Sequence, residues 1–357
     1  MTVQFSIAHA RSGRPVHRNL ITGGAGFIGS HLCDLLLQRG DAVICADNLS
    51  TSSMRNVRPL LNHPNFQFIE HDIRQPLHID GSIDRIYNLA CPASPRHYQR
   101  DPIGTMKTNV LGALNLLELS RKKSCRFLQA STSEVYGDPE IHPQPESYAG
   151  SVSTTGPRAC YDEGKRAAET LIFDYRRVYG LEVKVARIFN TYGPRMLEDD
   201  GRVVSNFIVQ ALHGRPITIY GTGKQTRSFC FVDDLVRGLE KLMESPPAVT
   251  GPFNLGNPHE ITIEAIAREV LACTNSLSRL QFKPLPQDDP KRRKPVIAAA
   301  EQWLGWRPRV TLKDGLAATV AYFTLRMADR AASAPSGGST RKVRRFSPNP
   351  LNLAHER

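Results

Sequence analysis

Tyr161 and Lys165 stand four apart in the run Cys160-Tyr161-Asp162-Glu163-Gly164-Lys165-Arg166. That spacing puts both side chains on one face of a helix, and the pattern predicts a helix running to about Tyr179. A nearby ammonium is expected to stabilise the phenolate and lower the tyrosine pKa, so that the phenol serves as a general base near neutral pH. Alone, such a pair is commonly no more than a helix surface. Upstream, Ser131-Thr132-Ser133-Glu134 follows a strand that ends at Ala130. In a doubly wound sheet the carboxyl ends of strands carry the active site. These hydroxyls and this carboxylate are therefore expected in the same crevice as Tyr161.

A second set of residues would bind rather than react. Gly23, Gly26 and Gly29 are spaced G-x-x-G-x-x-G after the apolar run Asn19-Leu20-Ile21. The first glycine allows a tight turn, the second lets the backbone approach a pyrophosphate, and the third lets helix pack on strand. The helix N-terminal amides then face the phosphates. Asp47 lies 18 residues after Gly29, at the end of the strand candidate Ala42 to Ala46. A carboxylate there accepts hydrogen bonds from a ribose diol and repels a 2′-phosphate, so the expected cofactor is NAD rather than NADP.

The elements that must position these groups follow from periodicity. Further strands are expected at Phe66–Ile69, Arg85–Leu89, Arg126–Ala130 and Val183–Arg187, with a helix at Thr105–Ser120. Strands alternating with helices imply an α/β fold with a Rossmann-like, doubly wound parallel sheet. After about residue 190 glycine and proline become frequent, and helices at Val204–His213 and Ile263–Cys273 are separated by loops. The expected organisation is a disordered leader at 1–18, an NAD-binding domain at 19–190, a smaller α/β substrate lobe at 191–325 that is partly interleaved with it, and a disordered basic tail at 326–357.

Composition narrows the function classes. The net charge is +12, but from Arg326 onward there are seven basic residues against two acidic ones, and Met1 to Arg18 holds three basic residues and no acid. Eight of the twelve excess charges therefore fall in the tails, and a nucleic-acid partner loses most of its support. Seven scattered cysteines without a CxxC pair argue against a disulfide framework or a zinc site, and no metal is expected. No apolar run is long enough for a membrane span, and no secretory signal is apparent. A soluble cytoplasmic protein is the expectation.

On these residues the chain resembles the extended short-chain dehydrogenase/reductase superfamily and, within it, the UDP-glucuronate decarboxylases (UDP-xylose synthases). The resemblance spans about Asn19 to Phe323. It is carried by Ala90 to Pro95, Ser131 to Pro143, Cys160 to Arg166, Ala186 to Met196, Asp200 to Phe207, Gln225 to Phe229 and Arg293-Lys294-Pro295. It implies that Tyr161, assisted by Lys165, deprotonates the hydroxyl at sugar carbon 4, and that Thr132 or Ser133 hydrogen-bonds that oxygen. Glu134 would handle protons or position water near carbon 5. Related dehydratases carry an Asp at the place of Ser133, which favours decarboxylation here, although epimerases share the hydroxyl.

The resemblance implies cofactor contacts at Gly23, Gly26, Phe27, Ile28, Gly29, Asp47, Asn48, Asp72, Ile73, Leu89, Ala90, Thr108 and Thr191, besides Tyr161 and Lys165. It implies UDP-sugar contacts at Lys107, Asn115, Asn190, Arg202, Tyr220 and Arg227, with Arg293 toward the sugar carboxylate. It also implies a homodimer built on the Thr105–Ser120 and Tyr161–Tyr179 helices. Two departures stand out: Ala149 replaces a tryptophan expected at the mouth of the site, and Val296 replaces an aspartate. An epimerase, a decarboxylase that releases a keto-pentose, and a non-catalytic NAD-binding scaffold are the competing readings.

Overall fold

The computed structural model describes residues 15–284 and 292–333. The first half of the described chain runs β1 (Arg18–Thr22), α1 (Phe27–Gln38), β2 (Ala42–Asp47), β3 (Phe66–Glu70), β4 (Arg85–Asn88), α2 (Pro95–Tyr98), α3 (Pro102–Lys123), β5 (Arg126–Thr132), α4 (Ala159–Tyr179) and β6 (Val183–Ile188). The second half runs β7 (Thr191–Tyr192), α5 (Val203–Leu212), β8 (Ile217–Tyr220), β9 (Thr226–Ser228), β10 (Cys230–Phe231), α6 (Val232–Glu244), β11 (Phe253–Leu255), β12 (Glu260–Thr262), α7 (Ile263–Thr274), β13 (Leu280–Lys283), β14 (Arg292–Arg293), α8 (Ala298–Leu304) and α9 (Leu312–Ser333).

The main sheet has seven parallel strands in the order β11-β6-β5-β4-β1-β2-β3. The chain grows outward from β1 to β3 and then restarts on the other side of β1 with β4. A crevice opens where the direction switches, at the carboxyl ends of β1 and β4. A buried polar ladder crosses that point: the Thr22 hydroxyl donates to Asn88 at 2.8 Å, and the Asn88 amide donates to Gln129 at 2.9 Å. Strands covered on both faces read as unbroken apolar runs, and every residue of β2 is buried.

The chain after residue 190 is shared between the main sheet and the lobe. Strand β11 is the seventh strand of the main sheet, and α6 packs against α1 on the sheet's face. The lobe keeps the pair β8–β13, the small sheet β12-β9-β14, and helices α5, α7 and α9. Helix α3 begins three residues earlier than expected because Asp101 caps it, accepting from the Gly104 amide at 2.9 Å, with Pro102 as its first residue.

Both terminal boundaries also move. Arg18 opens β1, and its backbone amide donates to Asp84 at 2.7 Å, so the leader does not extend to 18. Residues 326–333 continue α9 rather than starting a tail. There Arg326 and Arg330 pair with Glu198 on a loop of the cleft. The expected disorder at 1–14 and 334–357 lies outside the described residues. Among the described residues no helix is long and apolar enough to cross a membrane, and no cluster of three metal-ligating side chains occurs.

Asn254 on β11 joins the sheet to the segment carrying Arg293. It accepts from the Tyr136 hydroxyl at 2.7 Å and donates to the carbonyls of Gln144 at 3.0 Å and Val296 at 3.1 Å. All of this is fully buried at Asn254. Asn254→Ala should leave several buried partners unsatisfied and lower stability by about 2–4 kcal/mol in urea denaturation. A loss below about 0.5 kcal/mol, the size of an ordinary surface substitution, would contradict this role.

Candidate active site

One continuous cleft of about 810 Å³ runs along the carboxyl ends of the main strands and into the lobe. That is at the upper end of the usual range of ligand pockets, roughly 300–1,000 Å³, so two ligands can meet in it.

Its first half fits a dinucleotide. Gly23 has φ +70°, in the left-handed region. A Cβ on Gly29 would press into the Gly23 carbonyl, so the tight turn needs both glycines. Gly26 caps α1 without any side-chain hydrogen bond. The first-turn amides of α1 are thus left for a ligand, and Gly26, Phe27, Ile28 and Gly29 line the cleft there. Asp47 accepts from the Ala25 amide at 3.0 Å, the Leu49 amide at 2.9 Å and the Ser52 hydroxyl at 2.6 Å. A carboxylate offers about four acceptor positions, so about one remains for a ribose hydroxyl.

Asn48 donates to Asp72 at 3.2 Å. Hydrogen bonds from the Arg74 side chain hold the Asp72 carboxyl below its usual pKa. Ile73, Leu89, Ala90, Thr108 and Thr191 also line this half, with Thr108 donating to the Gly104 carbonyl at 2.8 Å.

The residues expected to react come from β5 and α4. Thr132 ends β5, and its hydroxyl caps the turn Ser133–Tyr136 by accepting from the Glu134 amide at 3.2 Å. Tyr161 and Lys165 lie on the inner face of α4 and are buried. The Tyr161 ring stacks on Tyr98, with centroids 5.0 Å apart and planes at 7°. The Thr132 side chain acts to lower the pKa of the Tyr161 hydroxyl. The Lys165 ammonium lies 5.8 Å from the Tyr161 ring centroid and donates to the Ala130 carbonyl at 2.9 Å.

One electrostatic expectation is reversed. Burial pushes the Tyr161 phenol above its usual pKa, and Cys91, Glu134 and Asp162 push it the same way, against the lowering by the Thr132 side chain. Burial also lowers the Lys165 ammonium. The helix does bring phenol and ammonium together, but loss of water outweighs their attraction.

The surroundings of Glu134 bear on its two expected roles, proton handling or water positioning. Arg293 grips both carboxylate oxygens, with Nη2 to Oε2 at 2.9 Å, and Arg158 donates to Oε2 at 2.6 Å. Burial would raise this carboxyl, but Arg293 and then Arg158 outweigh it, and its pKa is lowered to about 2. Glu134 is therefore a fixed anion near neutral pH. Arg158 and Tyr98 were not read from the sequence. Their signals, Gly-Pro-Arg three residues before Tyr161 and the tyrosine after Ser-Pro, carry meaning only once the chain is folded.

The substrate half holds Asn190, Arg202, Tyr220, Arg227 and Arg293, together with Thr132, Ser133 and Glu134. Arg202 pairs with Asp200 and lies 5.9 Å from the Phe27 ring, between the two halves. Two expected contacts are corrected. Lys107 is exposed on α3 and does not line the cleft, because that helix turns Gly104, Thr105 and Thr108 inward instead. Asn115 donates to the Ile73 carbonyl at 2.9 Å and so braces the cofactor half from behind.

The two departures also lie away from the cleft. Ala149 is exposed, and its carbonyl accepts from Arg166 at 2.6 Å. It is not among the residues that line the cleft. Val296 bonds through its backbone to Gln144 at 2.9 Å and to Asn254.

Fold and cleft together define a nucleotide-binding protein of the extended short-chain dehydrogenase/reductase class. A family model described as GDP-mannose 4,6 dehydratase matches residues 20–319. The chain is 54% identical over 314 residues to UDP-glucuronic acid decarboxylase 4 of Arabidopsis thaliana, covering 88% of this chain and 70% of that one. It is 53% identical to UDP-glucuronic acid decarboxylase 3 of the same plant, covering 88% and 91%. Among solved structures, a UDP-glucuronic acid 4-epimerase from Bacillus cereus in complex with UDP-glucuronic acid and NAD superposes with a TM-score of 0.77 at 30% identity, covering 87% and 99%. The chain belongs to the UDP-glucuronic acid decarboxylase family.

The Glu134 cluster makes a pH-dependent prediction. A carboxyl lowered in the fold stabilises it fully above its unfolded pKa, near 4.5, and loses that contribution as pH falls toward 2. The stability difference between wild type and Glu134→Gln, measured by denaturant titration, should be full above about pH 5 and shrink below it. A difference independent of pH would rule out a guanidinium-held carboxylate.

Proposed function

We propose that the protein decarboxylates UDP-glucuronate to UDP-xylose and CO2 through a 4-keto intermediate on the sugar, with tightly bound NAD regenerated in each cycle. The observation that carries this reading is the meeting of three parts in one cleft: the glycine turn with Asp47, the Tyr161–Lys165 pair, and a guanidinium cluster fit for a carboxylate. Relatives named UDP-glucuronic acid decarboxylases support it.

NAD, when bound, supplies a reversible hydride acceptor at sugar carbon 4. Tyr161 takes the proton of the 4-hydroxyl, and Lys165 supplies positive charge that opposes part of the cost of burying the phenolate. Thr132 and Ser133 hydrogen-bond the developing ketone oxygen. The ketone is β to the carboxylate, so the bond from carbon 5 to the carboxyl carbon breaks with its electron pair passing to that oxygen as an enolate, and CO2 leaves. Protonated Tyr161 donates to the enolate oxygen. Glu134 has about one acceptor position left, and with it orients the water that protonates carbon 5. Carbon 4 then recovers its hydrogen.

The protein is further proposed to work in the cytoplasm as a homodimer. Seven unpaired cysteines support a reducing compartment. Ile103 and Leu111 on α3 and Val178 on α4, exposed at 69%, 42% and 69%, support pairing through those two helices. A monomer in analytical ultracentrifugation would remove the dimer from this proposal.

Incubation with UDP-glucuronate should yield UDP-xylose and CO2 by mass spectrometry, without net NADH. Carbon 4 inversion without CO2 would make the protein an epimerase, and CO2 with accumulating NADH would mean keto-pentose release. Tyr161→Phe should cut turnover by at least about 100-fold while NAD still co-purifies. Retained turnover would remove the base role from Tyr161.

A further inference from the structure

The two guanidiniums on Glu134 are not equivalent. Both ends of the Arg293 fork go to the carboxylate, Nη1 to Oε1 and Nη2 to Oε2 at 2.9 Å. Arg293 is buried and held from behind by Gln144, which binds the Lys294 amide at 2.8 Å. Arg158 gives Glu134 a single hydrogen bond, Nη2 to Oε2 at 2.6 Å. Its Nε and Nη1 groups make no hydrogen bond among the described residues, and neither is a buried orphan. Its side chain lines the cleft and stays 18% exposed.

Charge at this wall is unbalanced. Two guanidiniums face one held carboxylate. Asp162 is the nearby acid, but it makes no hydrogen bond to Arg158, and its Oδ1 is buried without a partner. Burial and then Glu134 push the Asp162 carboxyl up to about 7, so it is only partly ionised near neutrality. The remaining positive charge is presented by a planar fork, the geometry that matches a carboxylate.

Position fits as well. Arg158 immediately precedes α4, three residues before Tyr161 and one turn from it. The base for the carbon 4 hydroxyl and the open guanidinium are thus neighbours, as carbons 4 and 5 are neighbours in the sugar ring.

We propose that Arg158 is a specificity-determining residue that binds the substrate's carboxylate through its open N–H edge, with Glu134 as its fixed counter-ion and Arg293 as the brace that holds Glu134. This rests on the reading of the substrate as UDP-glucuronate. It moves carboxylate recognition from Arg293, whose Nη1 and Nη2 groups already hold Glu134, to Arg158. The contact belongs to the bound substrate and is lost as CO2 leaves, so it governs binding more than turnover.

The test uses NAD-loaded protein in the Tyr161→Phe background, to prevent turnover, with calorimetric titration of UDP-glucuronate and of UDP-glucose. The latter carries the same nucleotide and a neutral hydroxymethyl group in place of the carboxylate. Adding Arg158→Gln should weaken UDP-glucuronate roughly tenfold to a hundredfold and change UDP-glucose less than about twofold. Arg158→Lys, which keeps the charge without the fork, should fall between. With Tyr161 intact, Arg158→Gln should raise KM by a larger factor than it lowers kcat. Equal loss of both ligands would make Arg158 structural, and an unchanged preference for UDP-glucuronate would remove it from recognition. Both outcomes overturn the assignment while CO2 release by the wild type keeps the decarboxylase reading intact. No CO2 and no preference in the unsubstituted site would overturn both.

Discussion

Glu134 enters the cleft from the turn after β5, Arg158 from the residue before α4, and Arg293 from β14 in the lobe. Three charges buried at one point are costly to desolvate, and only their mutual contact offsets it. Removing one member of such a set leaves an uncompensated charge and typically costs about 3–5 kcal/mol. The position of this contact therefore constrains much around it. Thr132 and Ser133 directly precede Glu134, so fixing the carboxylate fixes the hydroxyls beside Tyr161. The strand carrying Arg293 pairs with β9, which brings Arg227 into the same wall. Gln144 and Asn254 link that strand to the main sheet.

The cofactor half obeys a different constraint, close approach without side chains. The β1-to-α1 turn leaves helix amides free and gives Asp47 one hydrogen bond, from Ala25, while Leu49 and Ser52 in the loop after β2 give it two more. Asp47 is thus oriented before any ligand arrives. Tyr98 does for Tyr161 what Ser52 does for Asp47: a stacked ring fixes the plane in which the phenol works.

The two halves are joined along the cleft by the segment from Asn190 to Arg202. It is tied to α1 where His31 meets the Pro194 carbonyl at 3.0 Å and Arg195 meets Asp34 at 2.6 Å. On its outer side Glu198 pairs with Arg326 and Arg330 of α9. The last described helix thereby supports a wall of the cleft from residues that composition alone assigns to a tail.

Much of this was legible in the sequence. The glycine turn, Asp47, the strand alternation and the Tyr161–Lys165 face are local, because they depend on residues within a few turns or one βαβ unit. The sequence by itself determined the parallel sheet, the glycine turn with Asp47 and which hydroxyls stand near Tyr161. It could not assign Lys107 or Asn115, because the rotation of α3 decides which of its faces meets the cleft. It could not give the electrostatics either. Whether a lysine lowers a tyrosine depends on how much water the folded site excludes, and here burial prevails. Only the tertiary structure decided that Glu134 is a fixed anion, since its partners lie 24 and 159 residues away. The same fold left Arg158 with more N–H groups to offer than Arg293, because a guanidinium's availability is set by the contacts that packing has already given it.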